Sequence, residues 1–115
     1  MLEPGDVVTL MFTGATGTKP RPAVVLSSRE YHRTRPDVLV SLLTTQVARA
    51  TSPTDYVLQD GKAAGLRRES AFRLYILTAE QTEATQIGKL STRDWRAVRE
   101  CCRRGLDIQA DPPAL

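Results

Sequence analysis

The apolar residues of this chain come in short runs, each broken by glycine, proline or a basic turn before it reaches helical length. Only the last stretch repeats with a helical period. Short apolar or alternating runs bounded by turn chemistry signal strands, whereas a helix needs apolar positions three to four residues apart over a longer window. Val7 to Phe12, entered through Pro4 and Gly5, is apolar on both faces and reads as a buried first strand. Gly14, Gly17, Lys19 and Pro20 predict a flexible loop, after which Arg21-Pro22 leads into a second short strand, Ala23 to Ser27. Arg21 therefore sits where loop becomes strand. Ser28 to Asp37 is polar and basic and reads as another loop; a third strand, Val38 to Thr44, follows, with Thr45 and Gln46 just beyond it.

Tyr56 and Leu58 alternate with Asp55, Val57 and Gln59, which predicts an edge-like fourth strand closed by a turn at Asp60-Gly61. Between Ser70 and Leu77, Phe72, Leu74 and Ile76 fall on one face and Arg73 and Tyr75 on the other, as in a strand with one wet face. A short strand is expected around Ile87 to Leu90. Ser91 and Asp94 then make a start resembling a capping box, and Trp95, Val98 and Cys102 recur at helical spacing. Arg103 and Arg104 occupy the last turn, Gly105 is expected as the left-handed cap with Leu106 sealing it, and Asp111-Pro112-Pro113 ends the order. Many short strands and one terminal helix imply a mainly β fold, a small curled antiparallel or SH3-like barrel carrying a C-terminal α-helix.

The 115 residues suit one domain, 1–115, with no internal repeat or linker. A domain of this size leaves about a third or more of its unfolded surface exposed, so a dimer interface would add burial. Net charge is +3 and the basic residues are mostly arginine, whose fork matches phosphate oxygens, so nucleic acid is the favoured partner; a solvated arginine-rich surface is the plainer alternative. Cys101 and Cys102 are adjacent, which suits neither a mutual disulfide nor a spaced zinc set. No apolar run is long enough to span a bilayer and the N-terminus lacks a signal-peptide pattern, so the expected location is the cytoplasm, with no membrane contact.

Several chemistries lack their residues. A ribonuclease using paired imidazoles needs two histidines, and His32 is the only one; it lies among Arg29 and Arg33 and reads as a surface residue. There is no glycine-rich phosphate loop followed by Lys and Ser or Thr, which argues against nucleotide hydrolysis. Clustered carboxylates for a metal nuclease are also missing, and neither a metal nor another cofactor is expected.

Gly5-Asp6 at the first strand and Arg21-Pro22-Ala23-Val24-Val25-Leu26-Ser27 at the second resemble the opening signature of the MazF/PemK (Kid) toxins. The likeness continues through Leu43-Thr44-Thr45-Gln46, Gly65-Leu66 followed by Ser70, and Ile87-Gly88-Lys89-Leu90-Ser91, and so covers nearly the whole chain. It implies the MazF/CcdB-like fold and the toxin half of a type II toxin-antitoxin system. It also implies a homodimeric, metal-independent endoribonuclease that cuts single-stranded RNA at a short sequence, leaves a 2′,3′-cyclic phosphate and a 5′-hydroxyl, and so stops translation and growth. Arg21 matches the family's catalytic arginine and Thr44 its catalytic threonine. The implied partner is an acidic MazE-like antitoxin.

Such a cut requires deprotonation of the 2′-hydroxyl, stabilisation of a crowded phosphorane and protonation of the leaving 5′-oxygen. Guanidinium is a poor base at neutral pH, so Arg21 is assigned first to charge stabilisation, with Thr44 bonding a non-bridging oxygen. Candidate RNA contacts are Thr18, Lys19, Ser27, Arg29, Tyr31, Arg33, Thr45, Gln46, Arg67 and Arg68, with Tyr31 the preferred stacking platform. Ser27 also fits the core, and Tyr56, Phe72 and Tyr75 fit a core or an interface better than RNA. Many relatives have a longer first loop with a glutamate before the Arg-Pro; here the loop is short and has no acid. Two alternatives stay open: a CcdB-like gyrase-inhibiting toxin and a non-catalytic SH3-like nucleic-acid-binding module.

Overall fold

The computed structural model describes residues 1–109. Six antiparallel strands form one curled half-barrel sheet in the order β4-β5-β3-β2-β1-β6, and a C-terminal helix closes one face. The strands are β1 (Asp6–Gly14), β2 (Gly17–Val25), β3 (Asp37–Thr44), β4 (Tyr56–Val57), β5 (Ala71–Glu80) and β6 (Thr85–Lys89). The α-helices are α1 (Arg29–Thr34) and α2 (Thr92–Gly105), and short 3-10 turns span Val47–Arg49 and Gln81–Glu83. Alternation in β1 feeds two cores. Val7 faces Val24, Leu43, Phe72, Leu90, Val98 and Cys101 beneath α2, while Val8 and Leu10 face Ala23, Val25, Val38 and Val40 inside the curl. This is why β1 is apolar on both faces.

Several expectations need correcting. The segment Gly14 to Pro20 is no loop: β1 and β2 pair from Val7 opposite Val24 out to Gly14 opposite Gly17, making a long hairpin. Gly17 takes φ of +105° at the turn, which a side chain would resist. Pro20 and Pro22 fit because β2 pairs with β3 only from Ala23 to Val25, so this stretch has one hydrogen-bonded neighbour. The expected loop after Ser28 holds α1, capped by the Ser28 hydroxyl, which accepts from the Tyr31 N–H at 3.1 Å. A single six-residue turn has no periodicity to read.

His32 is buried rather than on the surface. One ring nitrogen, Nδ1, lies 2.8 Å from the Leu2 carbonyl and the other, Nε2, 2.6 Å from Ser27 Oγ. A carbonyl only accepts, so Nδ1 carries a proton and donates to Leu2; in the neutral ring Nε2 then accepts from Ser27.

The start of α2 is capped by Ser91 Oγ accepting from the Asp94 N–H at 3.1 Å, but the Asp94 carboxylate does not complete a capping box. It is fully buried and reaches across to the β4 segment: Oδ1 accepts from the Tyr56 hydroxyl at 2.7 Å and the Gln59 N–H at 3.0 Å, and Oδ2 from the Asp60 N–H at 2.8 Å. Gly105 is the last helical residue rather than the left-handed cap. Asp107 takes that conformation (φ +54°), and the Ile108 N–H closes a Schellman bond to the Arg103 carbonyl at 2.9 Å. Gly105 is small for another reason: a Cβ there would collide with the Leu74 side chain. The strand expected around Ile87 begins earlier, at Thr85. Asp111-Pro112-Pro113 lies outside the described residues.

Candidate functional site

Residues opposite one another in a sheet share a face, so the register determines which side chains meet. Leu10 lies opposite Arg21 and Phe12 opposite Lys19 in the hairpin; Ala23 pairs with Leu42, which in turn pairs with Tyr75. Leu10, Phe12, Arg21, Leu42 and Tyr75 therefore share the face inside the curl. Carrying the β2–β3 register two residues beyond its last bonded pair sets Arg21 opposite Thr44. A cleft of about 380 Å³ opens there, lined by Phe12, Arg21, Leu42, Leu43, Thr44, Arg73 and Tyr75.

A bulge supplies Arg73. Between Leu42, opposite Tyr75, and Leu43, opposite Phe72, β5 has two extra residues, and Leu74 takes a left-handed φ of +57°. Two inserted residues preserve the alternation, so Phe72 and Leu74 pack beneath α2, with Ile76 on the same face, while Arg73 and Tyr75 turn to the cleft. Asp55 steadies Arg73 through an ion pair at 3.8 Å.

The Arg21 guanidinium lies over the Phe12 ring, 5.9 Å from its centroid, and Phe12 meets Tyr75 edge to face at 6.4 Å. Arg21 Nε is buried and finds no acceptor among the described residues. A buried donor left unmatched costs about 1–3 kcal/mol. Thr44 Oγ1 accepts from the Gln46 N–H at 3.1 Å, which fixes its position and leaves its proton free to donate. The lining has two guanidiniums and no carboxylate. Among the described residues, no group of three or more His, Cys, Asp or Glu could hold a metal ion.

The other sequence candidates are dispersed. Thr18 and Lys19 are exposed towards the hairpin tip, where the Thr18 and Thr13 hydroxyls lie 2.7 Å apart. Thr45 and Gln46 are exposed just after β3. Arg67 and Arg68 are exposed on the segment before β5. Arg29, Tyr31 and Arg33 belong to α1, beyond the far end of β2 from the hairpin tip, and none lines the cleft. Arg29 pairs with Glu3 at 3.3 Å, and the Tyr31 ring is covered by Arg35 at 5.1 Å. Ser27 is buried, its Oγ committed to His32 and to the Leu39 N–H, so it offers RNA no free hydroxyl in this structure. Five lining residues escaped the site reading: Phe12, Leu42, Leu43, Arg73 and Tyr75. Only Arg73 and Tyr75 left a signal, the wet face of the fifth strand, which marks their exposure but not their convergence on the cleft.

A family model for the "PemK-like, MazF-like toxin of type II toxin-antitoxin system" matches residues 3–106. No curated protein matches the sequence. Among solved structures, an endoribonuclease in complex with its cognate antitoxin from Mycobacterial species superposes with a TM-score of 0.74 at 18% identity, over 96% of this chain and 100% of that one. The MazE-MazF structure (Form-III) from Deinococcus radiodurans gives 0.74 at 20% identity, over 94% and 98% of the two chains. The Mycobacterium tuberculosis toxin MazF-mt6 gives 0.73 at 20% identity, over 91% and 99%. At these identities the likeness establishes the fold.

Proposed function

The chain belongs to the PemK/MazF-like toxin family of type II toxin-antitoxin systems, and from that membership and the cleft we propose that it is a cytoplasmic, metal-independent endoribonuclease cutting single-stranded RNA at a short sequence. The observation that carries the reading is that Arg21 and Thr44 line one basic cleft without carboxylates. A phosphodiester seated there gives its non-bridging oxygens to the Arg21 fork and the Thr44 hydroxyl, and Arg73 adds a second positive charge. The ribose 2′-oxygen attacks phosphorus and loses its proton to solvent. The P–O5′ bond then breaks and the departing oxygen is protonated, with Arg21 the nearest donor. The products are a 2′,3′-cyclic phosphate and a 5′-hydroxyl. No imidazole or carboxylate lines the cleft to act as a base, which makes the enzyme slow.

The same cleft suits an acidic antitoxin segment that occupies it in place of RNA. The working form is a homodimer. A groove of about 910 Å³ beside α2 is floored by Leu26, Leu39, Ile76, Trp95, Leu106 and Ile108, and its rim carries both signs, Glu100 beside Arg96 and Arg99. A two-fold copy can cover that floor.

The test incubates the protein in EDTA with a long unstructured RNA, beside folded Arg21→Ala and Thr44→Ala variants. The expected result is site-specific cuts ending in cyclic phosphate, with the rate at least about a hundredfold lower in Arg21→Ala, as for loss of one donor to a developing oxyanion. RNA left intact by the wild type over a range of sequences would overturn the reading.

A further inference from the structure

We infer, resting on the ribonuclease reading above, that Tyr75 is the platform on which a base beside the scissile phosphate stacks, and that it thereby sets which sequences are cut. Among the described residues the other aromatic side chains are buried or half-buried, whereas Tyr75 is 58% exposed. It is nevertheless held in place. Its backbone is paired to Leu42, the Leu74 bulge fixes its direction, and Phe12 packs against it with the ring planes 83° apart. An edge-to-face contact occupies one side of a ring pair and leaves the other open to a further flat partner.

The neighbours suit a nucleotide. Arg21 lies over the Phe12 ring in the same cleft and Arg73 is two residues away on the same face, so positive charge stands near the ring where the phosphates beside a stacked base would run. Tyr75 is not part of the apolar groove beside α2; Ile76, on the opposite face of β5, is. The exposed ring therefore serves the cleft rather than the interface between copies. Tyr31, at the far end of β2, is turned to Arg35 and has no comparable place. Stacking is tolerant of sequence in itself, but here the base must stack while its phosphate reaches Arg21 and Thr44. That geometric coupling turns a general contact into a preference.

The test compares wild type with Tyr75→Ala, Tyr75→Phe and Tyr75→Trp in two readouts. The first is equilibrium binding of short homopolymeric oligonucleotides made uncleavable by 2′-deoxy sugars. The second is the profile of cut sites across a randomised single-stranded RNA pool. Tyr75→Ala should weaken the tightest binding about tenfold or more and broaden the profile, while Phe and Trp keep both within about twofold. Unchanged binding and cutting by Tyr75→Ala, or a Phe variant as impaired as Ala, overturns the stacking role. Oligonucleotide binding that depends on Tyr75 in a protein that cuts nothing would sink the ribonuclease reading and leave the stacking one standing. Failure of the wild type both to bind any oligonucleotide and to cut the RNA pool sinks both.

Discussion

At the scale of single residues, Asp94 does most to tie the terminal helix to the sheet. Three donors converge on its buried carboxylate, from the Tyr56 hydroxyl and the Gln59 and Asp60 backbone. Burial, with the hydrogen bond to Asp94 next, pushes the Tyr56 hydroxyl from an ordinary 10 up to about 12. The folded protein thus keeps a proton that the unfolded chain releases first. The stabilisation linked to that proton is fully present below pH 10 and is lost as pH rises through about 12. Urea midpoints measured across that range should fall, and fall less steeply in Tyr56→Phe; equal slopes would place the Tyr56 proton elsewhere. Nearby, hydrogen bonds from Arg93 and then Ser91 hold the half-buried Asp60 carboxyl below its usual range, a contribution that salt partly screens. Burial pushes the Cys102 thiol up to about 11, which leaves it protonated and inert at neutral pH, as expected of a packing residue.

At the scale of elements, the bulge in β5 and the end of α2 are built for each other. Leu74 swings out of the regular ladder and packs where Gly105 leaves room. Gly105→Ala sets a methyl group against the flexible end of the Leu74 side chain, which can turn aside, and gains helix propensity, so its effect should stay within about 1 kcal/mol; Gly88→Ala, whose Cβ would meet the Ala64 backbone carbonyl, should cost about 1–3 kcal/mol in thermal or denaturant unfolding. Gly14→Ala is the control, because its Cβ would meet only the Phe12 ring at ordinary contact distance, 3.6 Å. Strands β1, β3 and β5 were readable because their apolar runs or alternation follow from burial alone. The hairpin was misread because Gly14, Gly17, Pro20 and Pro22 carry loop chemistry, and a strand with one bonded neighbour tolerates it. The resemblance singled out Arg21 and Thr44, and the register brings them together. Phe12, Arg73 and Tyr75 remained hidden, since their convergence depends on a pairing register and a bulge that no local pattern encodes.

At the scale of the molecule, two distinct surfaces lie on opposite faces of the sheet. The inside of the curl carries the basic cleft, and the face under and beside α2 carries the apolar groove with Ile76, Leu106 and Ile108 partly open to solvent. No described helix is long and apolar enough to cross a membrane, so this apolar surface is not a helical span. Ile76→Glu leaves the cleft lining untouched and should convert a dimer to a monomer in sedimentation at micromolar concentration; a dimer that survives it would move the interface to another face.

The most direct test of the central claim, that Arg21 and Thr44 act on one phosphate, is a double-mutant cycle. Single-turnover cleavage of an oligonucleotide with one cut site would be followed for Arg21→Ala, Thr44→Ala and the pair. Residues acting as a unit lose nearly as much singly as together, so the double variant should be scarcely slower than Arg21→Ala. Losses that multiply independently, or a full rate in either single variant, would contradict it.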